Sequence, residues 1–202
     1  MKDKPSERSG YHHGSLPAAL TAAALDLLDE QGLEKVTVRE VARRAGVSPG
    51  APFRHFADRQ ALLTAVADLV LADLERWQRA QVLGADPPAM RAIGLGFVRY
   101  AIAHPRRFEL VKSAVFSPSA PPELQSRLSG IERAFTDLIV ADQRAGLLRA
   151  ADPALMGLAG QALVYGLSQM IVDGFLPAER AERLAEQVLD LFGLGVANLG
   201  PC

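Results

Sequence analysis

The sequence predicts an all-α protein of about nine helices. Apolar residues recur at the three- and four-residue spacing of amphipathic helices along most of the 202-residue chain. Alternating runs of β-branched and aromatic residues, which would indicate strands, do not stand out anywhere in the sequence. Hydrophobic residues make up 49% of the chain, which is enough to build a sizeable core.

Polar caps and glycines set the bounds of the first four predicted helices, over residues 15–31, 38–45, 49–56 and 58–81. The predicted N-caps are Ser15, Thr37, Ser48 and Asp58, because their side-chain oxygens can accept from the first unpaired backbone N–H groups. Glu40 is expected to complete a capping box with Thr37. Gly32 and Gly46 supply the backbone freedom that ends a helix.

Five further helices are predicted over residues 89–103, 105–115, 122–145, 153–173 and 177–192. Residues 153–172 carry no charge and are numerous enough to cross a bilayer. The polar residues in that stretch, including Gln161 and Tyr165, favour instead a helix that is buried on two faces inside a soluble dimer.

The strongest functional signal lies in residues 37–48. Two short helices joined by a tight turn must approach closely, and the small side chain of Ala42 lets them cross. Gly46 supplies the turn, while Val38, Val41 and Val47 fill the small shared core. This spacing predicts a helix-turn-helix, directly after a stabilising first helix.

The helix predicted over residues 49–56 is then expected to enter the major groove of DNA. Gly50 and Ala51 lack bulk, so the backbone can come close to the bases. Phe53, Arg54 and His55 are expected to project towards bases, sugars and phosphates. Candidates for neutralising the phosphate backbone are Arg39, Arg43, Arg44, Arg59 and the helix N-terminus at Thr37 and Val38.

Residues 11–74 resemble the DNA-binding domain of the TetR/AcrR family. This region is about a third of the chain, and the similarity rests especially on residues 32–33, 37–42, 45–48 and 53–63. The resemblance implies a homodimeric regulator, usually a repressor, whose C-terminal helices bind an inducer and form the dimer interface. It also implies DNA contacts from Ser48, Pro49, Gly50, Ala51, Phe53 and His55, and a phosphate contact from Arg59.

Two residues depart from the family pattern. Phe53 stands where many members carry tyrosine, which removes a phenolic hydrogen bond to phosphate. Pro52 stands where an aliphatic residue is usual, and its missing N–H and fixed φ should distort the first turn of the third helix. The alternative for the whole N-terminal region is a small three-helix packing unit with solvated arginines.

The later helices carry a candidate effector pocket. Its predicted lining residues are Phe97, Tyr100, His104, Phe108, Phe116, Phe135, Gln161 and Tyr165. The alternative is that these aromatic residues are simply core. Residues 160–167 resemble a subfamily whose C-terminal domain shows tryptophan followed by His-Gly, although this chain has Gln161 and Tyr165-Gly166 there.

The last two helices are predicted to form the dimer interface. Apolar residues surround most of the helix over residues 153–173, which therefore needs two apolar partners. A four-helix bundle with the symmetry mate would bury it together with the last helix. The predicted interface residues are Leu163, Leu167, Met170, Leu184, Val188, Leu191 and Phe192.

The prediction is thus a helix-turn-helix domain over residues 11–60 and a helical ligand-binding and dimerisation domain over residues 61–202, after a flexible leader over residues 1–10. We expect a cytoplasmic protein with double-stranded DNA, a small-molecule effector and a second copy as partners. Sequence gives no sign of a catalytic group, metal site, cofactor or membrane association. Rival functions are a DNA-binding activator or nucleoid-type protein without an inducer, and an all-helical small-molecule binder or enzyme.

Overall fold

The computed structural model describes residues 15–83, 89–115, 117 and 120–197. Within them lie eight α-helices: α1 (Leu16–Gln31), α2 (Val38–Arg44), α3 (Arg59–Val82), α4 (Ala89–Ala103), α5 (Pro105–Ala114), α6 (Pro122–Arg144), α7 (Pro153–Val172) and α8 (Ala178–Val196). Two 3₁₀ turns cover Leu33–Lys35 and Pro52–Arg54. The described residues hold no strand beyond one isolated bridge between Leu148 and Ala197, so the all-α prediction is confirmed. The predicted leader over residues 1–10 and Phe116 lie outside the described residues.

The chain divides into two compact units, Met1–Leu62 and Leu63–Cys202. In the first unit, α1 packs against α2 through side chains that are almost fully buried. These are Leu20, Ala24, Leu27 and Leu28 of α1 and Val41 and Ala42 of α2. Asp58 caps α3 as predicted, since its Oδ1 accepts from the backbone N–H of Ala61 at 2.8 Å. Ser15 stands at the N-cap of α1, but its side chain makes no capping hydrogen bond.

In the second unit, α4 packs against both α7 and α8. Their shared core contains Leu95 and Val98 of α4, Val164, Leu167 and Ile171 of α7, and Ala181, Ala185 and Leu189 of α8. Gly94 brings the helices close, because a Cβ atom built on it would lie 3.2 Å from both Leu189 Cδ2 and Val164 Cγ1. A second cluster joins Met90, Ile139, Leu148, Met156 and Val196.

Ion pairs join α4 to α8. The Nε of Arg91 lies 2.5 Å from Asp190 Oδ1. Two turns further along α4, the Nε of Arg99 lies 2.6 Å from Glu182 Oε1, and its Nη2 lies 3.3 Å from Glu186 Oε1. Each of these partly exposed pairs contributes little to stability.

Burial divides the predicted interface residues of α7 and α8 into two groups. Leu167 is only 8% exposed, and it faces the core shared with α4. Phe192 packs against the second cluster, near Met90. Both side chains contact cores of their own unit, as the half-buried Leu163 and Val188 also do, and their place at a dimer interface stays a prediction. Met170 and Leu191 are exposed, and Leu184 is half-buried.

Among the described residues, α7 is the one helix whose length and composition would allow it to cross a membrane. Its residues Val164, Leu167 and Ile171 contribute to the core shared with α4 and α8. One apolar face of α7 is therefore part of this core, and the second buried face, inside a dimer, stays a prediction.

Candidate DNA-binding surface

The start of α2 is held by Thr37, as predicted. Thr37 Oγ1 accepts from the backbone N–H of Glu40 at 3.2 Å. The second half of the predicted capping box is wrong, because the N–H of Thr37 donates to the carbonyl of Lys35. The Glu40 carboxylate instead accepts from Arg43 Nε at 3.0 Å, and this hydrogen bond lowers the pKa of Glu40.

The turn after α2 has the geometry that the sequence predicts. Gly46 has φ of +69°, a backbone conformation that side-chain-bearing residues rarely adopt. The chain then folds back, and the N–H of Val47 donates to the Ala42 carbonyl at 3.0 Å. Val41 and Ala42 are fully buried, so α2 and the turn form one small packed unit with α1.

The third helix is shorter and tighter than predicted. An α-helix over residues 49–56, capped by Ser48, was expected; the structure has only a 3₁₀ turn over Pro52–Arg54. Proline has no N–H to donate to the Ser48 carbonyl, which accepts from the N–H of Ala51 instead, at 3.0 Å. The distortion expected from Pro52 is therefore present, and it extends over the whole segment.

We call residues 48–55 the reading segment. Ser48, Pro49, Gly50, Arg54 and His55 are exposed, and Phe53 is 58% exposed. Ala51 is half-buried, whereas Pro52 is buried and attaches the segment to the unit together with Phe56. Apart from Ala51 and Pro52, the segment presents its side chains to solvent, where a duplex can reach them.

The predicted cationic residues differ in their surroundings. Arg39 and Arg43 are exposed on α2. Arg44 reaches back to α1, where its Nη1 donates to Glu30 Oε2 at 2.7 Å and holds the pKa of Glu30 below its usual value. The Val38 side chain is buried, so only its backbone can meet a phosphate.

The Arg59 side chain forms two hydrogen bonds within its own unit. Its Nε donates to the Val36 carbonyl at 2.7 Å, and its Nη2 donates to the Leu33 carbonyl at the same distance. These bonds tie the start of α3 to the 3₁₀ turn after α1, so Arg59 positions that part of the unit. The predicted phosphate contact from Arg59 stays a prediction.

We expect Arg59→Ala to lower the free energy of unfolding by about 1–3 kcal/mol, because two partly buried carbonyls lose a charged donor. Arg39→Ala, at an exposed position of α2, should change it by less than about 0.5 kcal/mol. Urea denaturation of both variants measures the difference. Equal stability of the two variants would contradict the positioning role.

The predicted effector residues fall into three places in the second unit. Phe108 contacts Phe97 and Tyr165, with ring centroids 6.1 and 5.8 Å apart. The rings of Tyr100 and His104 are in tilted contact, with centroids 4.8 Å apart. Phe135 and Gln161 line an open groove of about 360 Å³ between α6 and α7.

Tyr100 belongs to a structural network. Its hydroxyl donates to Asp73 Oδ2 at 3.1 Å, and Arg107 Nη1 donates to the same oxygen at 2.8 Å. Burial raises the pKa of Tyr100 to about 12, so the hydroxyl keeps its proton. Tyr100 therefore joins α3 to α4 and α5 within this unit.

Sequence reasoning missed the buried Ser168 and the half-buried Gln169 as candidate site residues. The Ser168 hydroxyl and the Gln169 Oε1 are buried without a hydrogen-bond partner among the described residues. The sequence did contain a signal for them. Ser168 and Gln169 lie three and four residues after Tyr165, on one face of a helix without charged side chains.

Two sequence comparisons cover most of the chain. A model of the bacterial regulatory proteins of the TetR family matches residues 20–66, and one of tetracyclin repressor-like C-terminal domains matches residues 90–192. The transcriptional regulator BetI of Burkholderia cenocepacia (strain HI2424) is 30% identical over 186 residues, which cover 86% of this chain and 92% of BetI. The class A tetracycline repressor of Escherichia coli is 44% identical over 57 residues, so the match spans only 26% of that repressor's length.

Solved structures share the fold. A protein of unknown function from Rhodococcus sp. RHA1 superposes with a TM-score of 0.82 and 28% identity, over 93% of this chain and 98% of that one. A TetR family transcription regulator from Marinobacter aquaeolei VT8 has a TM-score of 0.69 and 18% identity, over 90% of this chain and 95% of that one. Together with the helix-turn-helix described above, these similarities confirm the family that the motif predicted: the chain belongs to the TetR family of bacterial transcription regulators.

Proposed function

We propose that this regulator is a homodimeric repressor that leaves a palindromic operator when a small molecule binds. The proposal rests above all on the exposed reading segment, which follows α2 in the sequence, and on the cap that Thr37 provides for α2. Residues 11–60 would bind DNA, and residues 61–202 would bind the effector and the second copy. Such a protein acts in the cytoplasm, where its operator is, and does so without catalysis.

DNA contacts are assigned from exposure. Ser48, Pro49, Gly50, Phe53 and His55 meet bases and phosphates, and Ala51 offers its methyl group to a thymine. Arg39, Arg43 and Arg54 neutralise phosphates around the segment, and the backbone at Thr37 and Val38 adds a helix N-terminus. Arg44 and Arg59 act through the unit they stabilise.

The dimer face is assigned from the exposed apolar residues of α7 and α8. These are Leu155, Leu158, Met170, Leu191 and Leu194. They extend the predicted face towards the N-terminus of α7, and Leu163, Leu184 and Val188 border them. Covering such a surface with a second copy removes apolar area from water.

Effector binding in the second unit would be transmitted through α3, the helix that starts at Arg59 and continues past Leu62 into that unit. A ligand shifts the regulator only by its difference in affinity between the DNA-binding and DNA-free arrangements. The resemblance to a subfamily with a Trp and His-Gly signature suggests no particular ligand.

Selection of bound sequences from random DNA tests the function. We expect a palindrome whose half-sites lie about one helical turn apart, roughly 34–36 Å, with affinity that falls steeply as salt rises. His55→Ala should reduce the base preference at one position of each half-site by about 1–3 kcal/mol. Arg39→Ala should instead weaken the binding of all DNA sequences alike. Recovery of no preferred sequence, or a uniform effect of both substitutions, would remove direct readout by the reading segment.

A further inference from the structure

The seam between α5 and α7 contains a polar patch inside an apolar unit. Tyr165, Ser168, Gln169 and Val172 stand at positions i, i+3, i+4 and i+7 of α7, so they form the four corners of one depression on the helix surface. The ring of Phe108 on α5 lies against this patch, 5.8 Å from the ring of Tyr165.

Ser168 differs from Thr21, the other buried serine or threonine among the described residues. Thr21 is 6% exposed, and its Oγ1 donates to the Pro17 carbonyl at 2.8 Å. Ser168 is 0% exposed, yet its hydroxyl has no partner among the described residues. A buried hydroxyl without a hydrogen bond destabilises the fold, and an alanine of nearly the same size would avoid that cost.

Gln169, the next residue along α7, adds an acceptor. Its Nε2 donates to Asp173 Oδ2 at 2.6 Å, which fixes the amide and leaves Oε1 buried without a partner among the described residues. One helix patch therefore offers a hydroxyl that can donate or accept and a carbonyl that can only accept. A ligand hydroxyl has the complementary donor and acceptor.

The charged groups named at the seam already have an ion-pair or hydrogen-bond partner. Lys112 Nζ lies 2.9 Å from Glu109 Oε1 on α5, and Asp173 accepts from Gln169. A charged ligand would have to break one of these pairs or enter without a partner of its own. The neighbouring rings of Phe97, Phe108 and Tyr165 provide apolar walls.

We infer that the α5–α7 seam binds an uncharged, apolar molecule that carries a hydroxyl group, with Ser168 Oγ and Gln169 Oε1 as its hydrogen-bond partners. This inference rests on the proposed function, since the ligand would be the effector of the regulator. It names two residues that position the ligand and the chemical class that they select.

Three probes with one skeleton test the class: 4-propylphenol, propylbenzene and 4-propylbenzoate. Ligand-observed NMR on the full chain measures their Kd values. We expect 4-propylphenol to bind more tightly than propylbenzene, and 4-propylbenzoate to bind most weakly. Ser168→Ala and Gln169→Met should each raise the Kd of 4-propylphenol by about three- to tenfold and leave the Kd of propylbenzene unchanged.

A second readout separates ligand binding from a structural role. Ser168→Ala should raise the Tm of the ligand-free protein, because it removes an unpartnered hydroxyl. The same substitution should weaken the binding of 4-propylphenol. Ser113→Ala is the control, since its hydroxyl already donates to the Leu110 carbonyl at 3.1 Å. A lower Tm for Ser168→Ala would mean that the hydroxyl is already satisfied, for example by a buried water, and would overturn the inference.

Each of the remaining outcomes supports or overturns the inference. Failure of all three probes to bind, or tightest binding of the benzoate, excludes the proposed class. Operator binding of the wild-type protein, measured in parallel, shows whether the regulator function stands when the ligand inference fails. If 4-propylphenol binds and also lowers operator affinity in wild type but not in Ser168→Ala, the seam is the effector site.

Discussion

Leu191→Glu is expected to convert the proposed dimer into a monomer and to lower operator affinity about a hundredfold or more. Leu191 is 72% exposed on α8, next to Leu194 at 64%. In a symmetric dimer the substitution buries two carboxylates in an apolar contact, and each has a desolvation cost of several kcal/mol. Each tenfold change in operator affinity corresponds to about 1.4 kcal/mol. A hundredfold loss of affinity therefore requires less free energy than the desolvation of the two carboxylates.

The measurement is sedimentation velocity over a range of protein concentrations, with operator titration of the same samples. Leu83→Glu is the matched control, since Leu83 is 82% exposed but follows α3, outside α7 and α8. A Leu191→Glu protein that remains dimeric would exclude this surface as the dimer face. A change in the helical circular dichroism signal would attribute the loss to unfolding.

Gly94→Val is expected to lower the free energy of unfolding by about 1–3 kcal/mol through overpacking. The first added carbon would already lie 3.2 Å from Leu189 Cδ2 and from Val164 Cγ1, and the two γ-methyl groups have to displace them further. Valine is a better helix former than glycine, which offsets only a few tenths of a kcal/mol. The loss is large against a typical total stability of about 5–15 kcal/mol.

Gly130→Val serves as the control for this prediction. A Cβ atom on Gly130, in the middle of α6, would meet no atom within 4 Å. The same substitution there should be neutral or slightly stabilising in guanidinium denaturation. If both variants lose stability equally, the effect comes from valine in a helix and not from the contact of α4 with α7 and α8.

The helices and the turn were predictable because their signals are local. The Thr37 and Asp58 caps act within three residues of themselves, and Gly46 is needed for the φ of its own turn. The same local rule indicated that Pro52 would distort the third helix. It did not give the extent of the change, since that depends on how the buried Pro52 packs against the rest of the unit.

The details of the surface and of the effector region depend on distant contacts. Arg59 was expected at phosphates, but its partners are carbonyls 26 and 23 residues earlier in the chain. Along α7, apolar residues occur on all sides, so periodicity could not decide that Leu167 faces inwards while Leu158 faces outwards. The spacing of Ser168 from Tyr165 marked a shared helix face, but it did not show that the Ser168 hydroxyl would be left without a hydrogen bond.

Pro52 also affects how the regulator meets DNA. Its ring fixes one φ angle of the reading segment, and its burial attaches the segment to the helical unit. A backbone that is already ordered has little conformational entropy left to lose on association, so more of the contact energy appears as affinity. The heat-capacity change of operator binding should then reflect the contact area alone, without the larger negative contribution that accompanies a segment folding on its target.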